Sequence, residues 1–228
     1  MPVSKMRLGR MVRSSLLKAA CRKGVKAYFD SHPVRKLQLG GGGNILNGWL
    51  NTDLCQGKDT FFLDVKEPFP FDDRSFDYIY CEHLVEHLSY REGSRMLREC
   101  YRVMKPGGRL SVYTPDLQFL IRLYNPEKTD LQDRYITWIT DNFLSDIDVY
   151  QDTFVINNFF RDWGHRIIYD FKALQGMMAR AGFVDIVRCE IGESADENLR
   201  LLERHGDVIT DEFNRLETFV AEGRRTTC

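Results

Sequence analysis

Short apolar runs alternate with longer amphipathic stretches along most of this chain. The apolar pair Leu37 and Leu39 leads into four glycines, and a second short run ends in Asp53. Short apolar or alternating runs between turn residues are typical of β-strands, whereas apolar positions within residues 91–104 recur at helical spacing. Strands that alternate with helices favour a parallel sheet. The predicted strands are 37–39, 49–53, 60–64, 76–80, 109–114 and 183–190.

The last part of the chain gives weaker signals. Asp170 can cap a helix that Gly182 ends, before the alternating run over residues 183–190. Residues 193–204 and 211–221 have few strong core positions, so we expect polar helical or extended segments there. They could pack on the sheet or mediate self-association, and the oligomeric state stays open.

A long connection separates the fifth predicted strand from the Asp170 helix. Connections of this length are usually functional in a compact domain. We expect residues 117–169 to form a substrate lid, because aromatic faces suit sugars or a hydrophobic acceptor, although most of its rings can form its own core. Its rings include Phe119, Tyr124, Tyr135, Trp138, Phe143, Tyr150, Phe154, Phe159, Phe160 and Trp163.

The glycine run from Gly40 to Gly43 is typical of a nucleotide site. Glycine tolerates positive φ and lets a ligand approach the backbone, and the Asp53 carboxylate can accept hydrogen bonds from both ribose hydroxyls. The dinucleotide fingerprint requires glycine at its sixth position and an acid about 20 residues on. Here the sixth position is Ile45 and Asp53 comes too early, which argues against NAD. A glycine-rich surface turn is the alternative.

Four segments in order resemble the class I S-adenosylmethionine-dependent methyltransferases. The resemblance covers about residues 36–190, and GWLNTDL and ESADENLRLLERHG are similar to methyltransferases of bacterial surface-polysaccharide loci. It departs at Gln38, where the family usually has an acid that contacts the methionine end. The four segments are KLQLGGGGNILNGWLNTDL, LDVKEPFPFDDRSFDYIYCEHLVEHL, LRECYRVMKPGGRLSVYTPDL and HRIIYDFKALQGMMARAGF.

The resemblance implies an α/β fold, a doubly wound, Rossmann-like seven-stranded sheet whose last strands form an antiparallel pair. It also implies S-adenosylmethionine as the cofactor, with its ribose held by Asp53, its adenine read by Asp64 with Val65, and its sulfonium beside His83. Asp64 could instead cap a loop. The implied cofactor-binding residues are Gln38, Leu39, Gly40, Gly41, Gly42, Asn44, Asp53, Leu54, Asp64, Val65, Cys81, Glu82 and His83.

The segment CEHLVEHL contains His83-x-x-Glu86-His87, which is formally an inverted zinc-protease pattern. Spaced four apart, the histidines would share one helix face. No third ligand is assignable, and the segment follows a strand at the sheet edge where ligand sites gather, so we assign no metal site. We expect this segment to supply pocket residues beside the transferred methyl group. The alternative is that it is only the start of a helix, with Glu82 near the positive end of the helix dipole.

An oxygen acceptor must lose its proton as it attacks, and histidine titrates near neutrality. The candidate bases, in falling order, are His87, His83, His165 and Asp116. His165 matches a position near the acceptor in the resembling family, and Asp116 could equally cap a helix that begins near Leu117.

The resemblance to methyltransferases of polysaccharide loci implies O-methylation of a sugar or glycan precursor in polysaccharide biosynthesis as the expected activity. A small-molecule or quinone-type acceptor is an alternative. A non-catalytic, membrane-associated subunit that binds S-adenosylmethionine is another, and a metal-dependent hydrolase using His83, Glu86 and His87 is the last.

Composition and charge add a basic arm to this picture. The chain has 228 residues, of which 43% are hydrophobic, and no apolar run approaches the roughly 18 residues of a membrane span. Six scattered cysteines without an apolar signal core favour reduced thiols in the cytoplasm. Residues 1–36 carry a net charge of +9 and the remaining chain −10. We expect no nucleic-acid binding, because the domain itself is acidic.

We divide the chain into an arm, residues 1–34, and a methyltransferase domain, residues 35–228. Residues 5–29 form a basic amphipathic pattern that can lie on an anionic membrane, pack on the domain or act as an import presequence. The expected location is cytoplasmic and peripheral on the inner membrane face.

The intact chain is predicted to bind anionic vesicles, because the arm combines an apolar stripe with excess positive charge. A chain that begins near Val34 should not bind them. Cosedimentation with vesicles of anionic and of neutral lipid measures the difference. Equal binding of both chains would exclude the arm as a membrane anchor.

Overall fold

The computed structural model describes residues 24–227. The strands are β1 (Lys36–Leu39), β2 (Leu50–Asp53), β3 (Phe61–Phe62), β4 (Phe76–Glu82), β5 (Met104–Pro115), β6 (Val184–Cys189) and β7 (Thr218–Arg224). They form one sheet in the order β3-β2-β1-β4-β5-β7-β6. The strands β1 to β5 are parallel, and β7 runs antiparallel to both β5 and β6. The predicted seven-stranded, doubly wound α/β sheet is confirmed.

The helices are α1 (24–31), α2 (Tyr90–Val103), α3 (Leu117–Leu123), α4 (Asp130–Phe143), α5 (Asp152–Arg161), α6 (Phe171–Ala181) and α7 (Asp211–Glu217). Their boundaries follow local capping. Ser89 and Glu92 form a reciprocal capping box at the start of α2, Asp170 caps α6, and Gly182 ends α6 with a φ of 110°.

The segment Val85–His87 is only a short 3-10 turn. The expectation that His83 and His87 share one face of an α-helix is therefore wrong. His83 has a φ of 43°, a left-handed conformation that is uncommon outside glycine. The two histidines consequently point to different surroundings.

The two faces of the sheet are covered differently. Side chains of α1, α2 and α6 pack with the apolar face of β1, β4, β5 and β7 in the main core. The opposite face carries Tyr80, Tyr113 and Val220, which pack with Trp49 and Leu199 from connecting segments. The glycine turn can stay open to a ligand because no α-helix separates β1 from β2.

The connection between β5 and α6 folds as a helical unit with its own core. Its helices α3, α4 and α5 bury Phe119, Tyr135 and Phe159 together with Phe213 of α7. Since α7 leads directly into β7, whose first residue pairs with the last residue of β5, this unit lies at the carboxyl ends of the parallel strands.

The arm is only partly within the described residues. Of the predicted membrane-binding segment, residues 5–29, the part up to residue 23 lies outside the described residues. The rest belongs to α1, which packs on the main core through Val25, Tyr28 and Phe29. The Tyr28 hydroxyl donates to the carbonyl oxygens of Lys36 and Gly48 at 2.9 and 3.1 Å. Among residues 24–227, no helix combines the length and apolar character needed to cross a bilayer.

Two sequence predictions fail in the sheet. The third strand is limited to Phe61–Phe62 rather than spanning residues 60–64. The segment 211–221, expected to have few core positions, contributes α7 and most of the interior strand β7, whose first six residues are buried. Its polar residues masked this, because Glu217 and Glu222 are themselves buried among hydrogen-bonding partners.

Phe219→Ala should lower the free energy of unfolding by about 3–5 kcal/mol, since Phe219 is 1% exposed in the main core. Val187 on the neighbouring strand β6 is 52% exposed, so Val187→Ala should cost less than about 1 kcal/mol. Urea denaturation measures both. Equal effects of the two substitutions would contradict the interior position of β7.

Candidate active site

The turn after β1 has a conformation that favours glycine. Gly40 and Gly42 have φ values of 62° and 52°, and a Cβ on Gly40 would lie 2.8 Å from the Leu84 side chain. By contrast, a Cβ on Gly42 or Gly43 would meet no heavy atom within 4 Å. The turn is therefore packed against the protein on one side and open on the other, where a ligand can reach its backbone.

Asp53, at the end of β2, holds this turn. Its Oδ2 accepts from the Gly42 amide at 3.0 Å, and its Oδ1 accepts from the Cys55 amide at 2.8 Å. Each carboxylate oxygen has a second lone pair. The residue can thus fix the turn and still accept from a ligand hydroxyl.

A cleft of about 590 Å³ opens beside the turn, a size typical of small-molecule sites. The turn forms one side of the cleft, Glu82 and His83 at the end of β4 contribute to its wall, and residues 204–208 form the other side. The lining residues are Gly40, Gly41, Gly43, Asn44, Ile45, Glu82, His83, Arg204, His205, Asp207 and Val208.

Glu82 connects both sides of the cleft. Its Oε1 accepts from the backbone amides of Arg204 and His205, each at 2.9 Å. Its Oε2 accepts from the Asn44 amide group at 3.2 Å and from the Tyr80 hydroxyl at 3.1 Å. This one carboxylate therefore bridges the glycine turn and the C-terminal segment, which Asn44 also contacts directly by donating to the Leu202 carbonyl at 3.4 Å.

Two histidines in the cleft are each paired with a buried carboxylate. The His83 and His205 rings lie 4.0 Å apart between centroids. His83 Nδ1 is 3.2 Å from Glu86 Oε1, and His205 Nε2 is 3.1 Å from Glu217 Oε1. The Tyr135 hydroxyl donates to the other oxygen of Glu217. Both rings are thus oriented by carboxylates that are 0 and 4% exposed, those of Glu86 and Glu217.

Glu86 also sets the protonation of His83. Burial alone would lower the pKa of His83, but contact with the Glu86 carboxylate outweighs it and raises that pKa above its ordinary value. Burial likewise works to raise the pKa of Glu86, but the His83 contact lowers it overall. The side chain of His83 is still 17% exposed, so its ring reaches the cleft. A histidine of this kind can take a proton from a bound hydroxyl.

A second histidine pair lies on another side of Glu86. The His87 and His165 rings are 5.0 Å apart, and His165 Nδ1 is 2.8 Å from the Phe159 carbonyl oxygen. Burial lowers the pKa of His165, so the neutral ring is favoured. Four of the five histidines in the chain therefore gather around this end of the sheet.

The structure separates the sequence-predicted cofactor residues into three groups. Gly40, Gly41, Asn44, Glu82 and His83 line the cleft. Gly42 and Asp53 form the back of the turn. The remaining residues lie in or just after the adjoining strands; they are the buried Gln38, Leu39 and Cys81, the exposed Leu54, and Asp64 and Val65 after β3.

Asp116 is engaged as a structural residue. Its Oδ1 accepts from the Gln118 amide at 2.9 Å and caps α3, and its Oδ2 pairs with Arg188 at 2.8 Å. It is 2% exposed. Its predicted role as a base would need these contacts to change. His83 would need only its Nε2 contact with the Thr218 hydroxyl, at 3.4 Å, to give way.

Sequence reasoning missed Arg204 and His205. His205 is 122 residues from His83, so spacing gives no signal for their contact. Both missed residues lie in ESADENLRLLERHG, whose family resemblance assigned no role to either of them. The buried Glu217 that orients His205 lies in a segment predicted to have few core positions. If β7 had been predicted as an interior strand, Glu217 and its partner His205 would have been expected near the edge of the sheet where the cleft lies.

The residues present fit the cofactor that the sequence resemblance implies. The Gln38 side chain lies directly beneath Gly41, where a Cβ would be 2.8 Å from its amide carbon. Both polar atoms of this amide are buried without a hydrogen-bond partner among the described residues. An open turn, an adjacent carboxylate and an unpaired amide suit the polar ends of a nucleoside with an amino-acid substituent.

Comparisons with known proteins found a family model and solved structures that are similar to this chain. A family model described as a methyltransferase domain matches residues 54–112. An S-adenosylmethionine-dependent methyltransferase from Archaeoglobus fulgidus is 19% identical over 92% of this chain and 94% of its own, with a TM-score of 0.51. Another from Thermotoga maritima is 15% identical over 96% of each chain, with a TM-score of 0.49. No protein of curated function matches the sequence.

The Archaeoglobus likeness shows the fold, and the matched domain lies across β3, β4, α2 and most of β5. The chain is therefore similar to S-adenosylmethionine-dependent methyltransferases in its fold, and residues 54–112 are similar to a methyltransferase domain.

Proposed function

We propose that this protein methylates a hydroxyl oxygen of a sugar or glycan precursor. One observation carries the proposal, namely that the glycine turn and a carboxylate-paired histidine, His83, line the same cleft. The first suits the cofactor and the second suits removal of a hydroxyl proton. S-adenosylmethionine, when bound, supplies a methyl group already activated by positive sulfur.

In this proposal the cofactor contacts polar groups that still have a free lone pair or an unpaired N–H. Asp53 accepts from the ribose hydroxyls, and the Gln38 amide donates to the methionine carboxylate in place of the family's usual acid. Asp64 and Val65 hold the adenine end. The segment 204–208 forms the side of the cleft opposite the turn, so a bound cofactor and acceptor would be held between the two, which favours an in-line displacement.

His83 is the proposed general base among the four candidates. It faces the cleft, and Glu86 both orients its ring and stabilises the imidazolium that forms when it takes the proton. The tilted His205 ring lies against it and is held by Glu217, so it can receive the proton or orient the acceptor. His87 and His165 form the neighbouring pair.

Aromatic rings beside this pair support a sugar acceptor. Trp163 is 40% exposed and lies 5.6 Å from the His165 ring, and Phe143, also 40% exposed, lies 5.2 Å from Trp163. They form an exposed aromatic surface that leads to the histidines. Such rings stack on the apolar faces of sugars, and a quinone-type acceptor could use them too.

The arm remains a proposed membrane contact. Because α1 packs on the main core, a chain beginning at Gly24 removes the undescribed segment and keeps those core contacts. It is a sharper comparison for the vesicle experiment than a chain beginning at Val34. A non-catalytic membrane subunit is the alternative that the arm motivates.

Transfer of a labelled methyl group from S-adenosylmethionine tests the activity. Nucleotide-linked and lipid-linked sugars are the expected acceptors, with catechols and quinols as the competing class. His83→Gln should slow transfer by about 10²- to 10⁴-fold, the usual contribution of a general base, while the cofactor still binds.

Arg74→Gln provides a matched control, because Arg74 is exposed on the connection before β4. Product from quinols alone would replace the sugar proposal. Cofactor binding without transfer to any acceptor would favour the non-catalytic subunit.

A further inference from the structure

Glu86, His87 and His165 form a cluster that the methyl-transfer chemistry does not require. Each residue offers one potential ligand atom, and these atoms all lie within 4.8 Å of one another. Metal–ligand bonds of 2.0–2.2 Å would bring such atoms to about 3.3 Å apart. Small rotations of the two partly exposed rings would close this difference.

The backbone holds these residues together. The amides of Arg166 and Ile167 donate to the Glu86 carbonyl oxygen at 2.7 and 3.2 Å. Trp163 and Gly164, with φ values of 55° and 77°, turn the chain just before His165. The end of the helical connection is therefore fixed against the 3-10 turn, and His165 faces His87.

The hydrogen bonds leave ligand atoms available. His165 uses Nδ1 toward the Phe159 carbonyl, which leaves the Nε2 lone pair open. No group among residues 24–227 hydrogen-bonds the His87 ring. Glu86 Oε2 accepts from Thr114 at 3.0 Å, whereas Oε1 is fully buried and contacts His83 without hydrogen-bond geometry. Each carboxylate oxygen has two lone pairs, so Glu86 can keep its contacts with His83 and Thr114 and still offer a lone pair to a cation.

We propose that Glu86, His87 and His165 bind a divalent transition-metal ion. Two imidazoles and one carboxylate suit Zn²⁺, Fe²⁺ or Mn²⁺, and three protein ligands leave coordination positions open. Of the pattern His83-x-x-Glu86-His87, only Glu86 and His87 are ligands in this proposal. His165, which is distant in sequence, is the third ligand.

The open positions would bind the acceptor. This part rests on the proposed methyl transfer: two adjacent hydroxyls of a sugar would occupy the metal, which lowers the pKa of the attacking hydroxyl. His83, in contact with Glu86, would then accept its proton. The implied acceptor class is a vicinal diol.

Calorimetric titration of chelator-treated full-length protein with Zn²⁺ and Mn²⁺, without cofactor, tests the site. We expect one equivalent of at least one of the two ions to bind. His165→Asn should weaken binding by at least about 100-fold, since even outer-shell changes cost 10- to 100-fold. Its side-chain amide can still donate to the Phe159 carbonyl, so the fold is retained.

Two further variants separate this site from its rivals. His83→Ala should keep the bound ion. His32→Ala is the distant control and should also keep it, because the His32 ring contacts the Tyr28 carbonyl of α1 instead of the proposed site. Loss of metal in His83→Ala but not in His165→Asn, or no stoichiometric binding of either ion to folded wild type, would overturn the inference. Titration with S-adenosylhomocysteine on the same samples reports the methyltransferase proposal separately.

Discussion

The Glu82 carboxylate joins the three parts of the chain that make the cleft. It ends β4, accepts from Asn44 in the glycine turn, and accepts from the amides of Arg204 and His205. Hydrogen bonds to a charged acceptor are worth about 1.5–3 kcal/mol each. Without these hydrogen bonds, the C-terminal segment would be held less firmly opposite the turn. His205 would lose the hydrogen bond from its backbone amide that positions it beside His83.

A second carboxylate, Glu86, lies entirely out of water, and its neighbours explain how it is tolerated there. Ionising a buried carboxylate is costly unless positive or donating groups surround it. His83 and Thr114 supply two such groups. The clustering of His87 and His165 nearby adds two imidazoles that can hold a cation. The buried Glu86 carboxylate is therefore shared by the proposed base, His83, and the proposed metal site.

Local sequence patterns predict the parallel part of the sheet well. Apolar runs and the glycine turn each depend on neighbouring residues, and β1, β4, α2 and β5 follow from them. The later elements depend on distant contacts. Polar residues in β7 look solvated in sequence because nothing local shows that Glu222 meets Ser194.

The candidate site divides in the same way. Gly40, Gly41, Asn44, Glu82 and His83 could be predicted because they follow strands that the sequence reveals and because the family resemblance assigns them. Arg204 and His205 could not, since their places in the cleft depend on Glu82, more than 120 residues earlier, and on the contact of His205 with the buried Glu217. His165 was predicted, but its pairing with His87 depends on the fold of the helical connection.

Calorimetric titration with S-adenosylhomocysteine tests the central claim most directly. The account predicts saturable binding of one equivalent, weakened about 10- to 100-fold by Asp53→Ala because hydrogen bonds to a charged acceptor are lost. Asp59→Ala, in the exposed connection before β3, should bind like wild type. No binding to folded protein, or equal binding by all three proteins, would contradict the account.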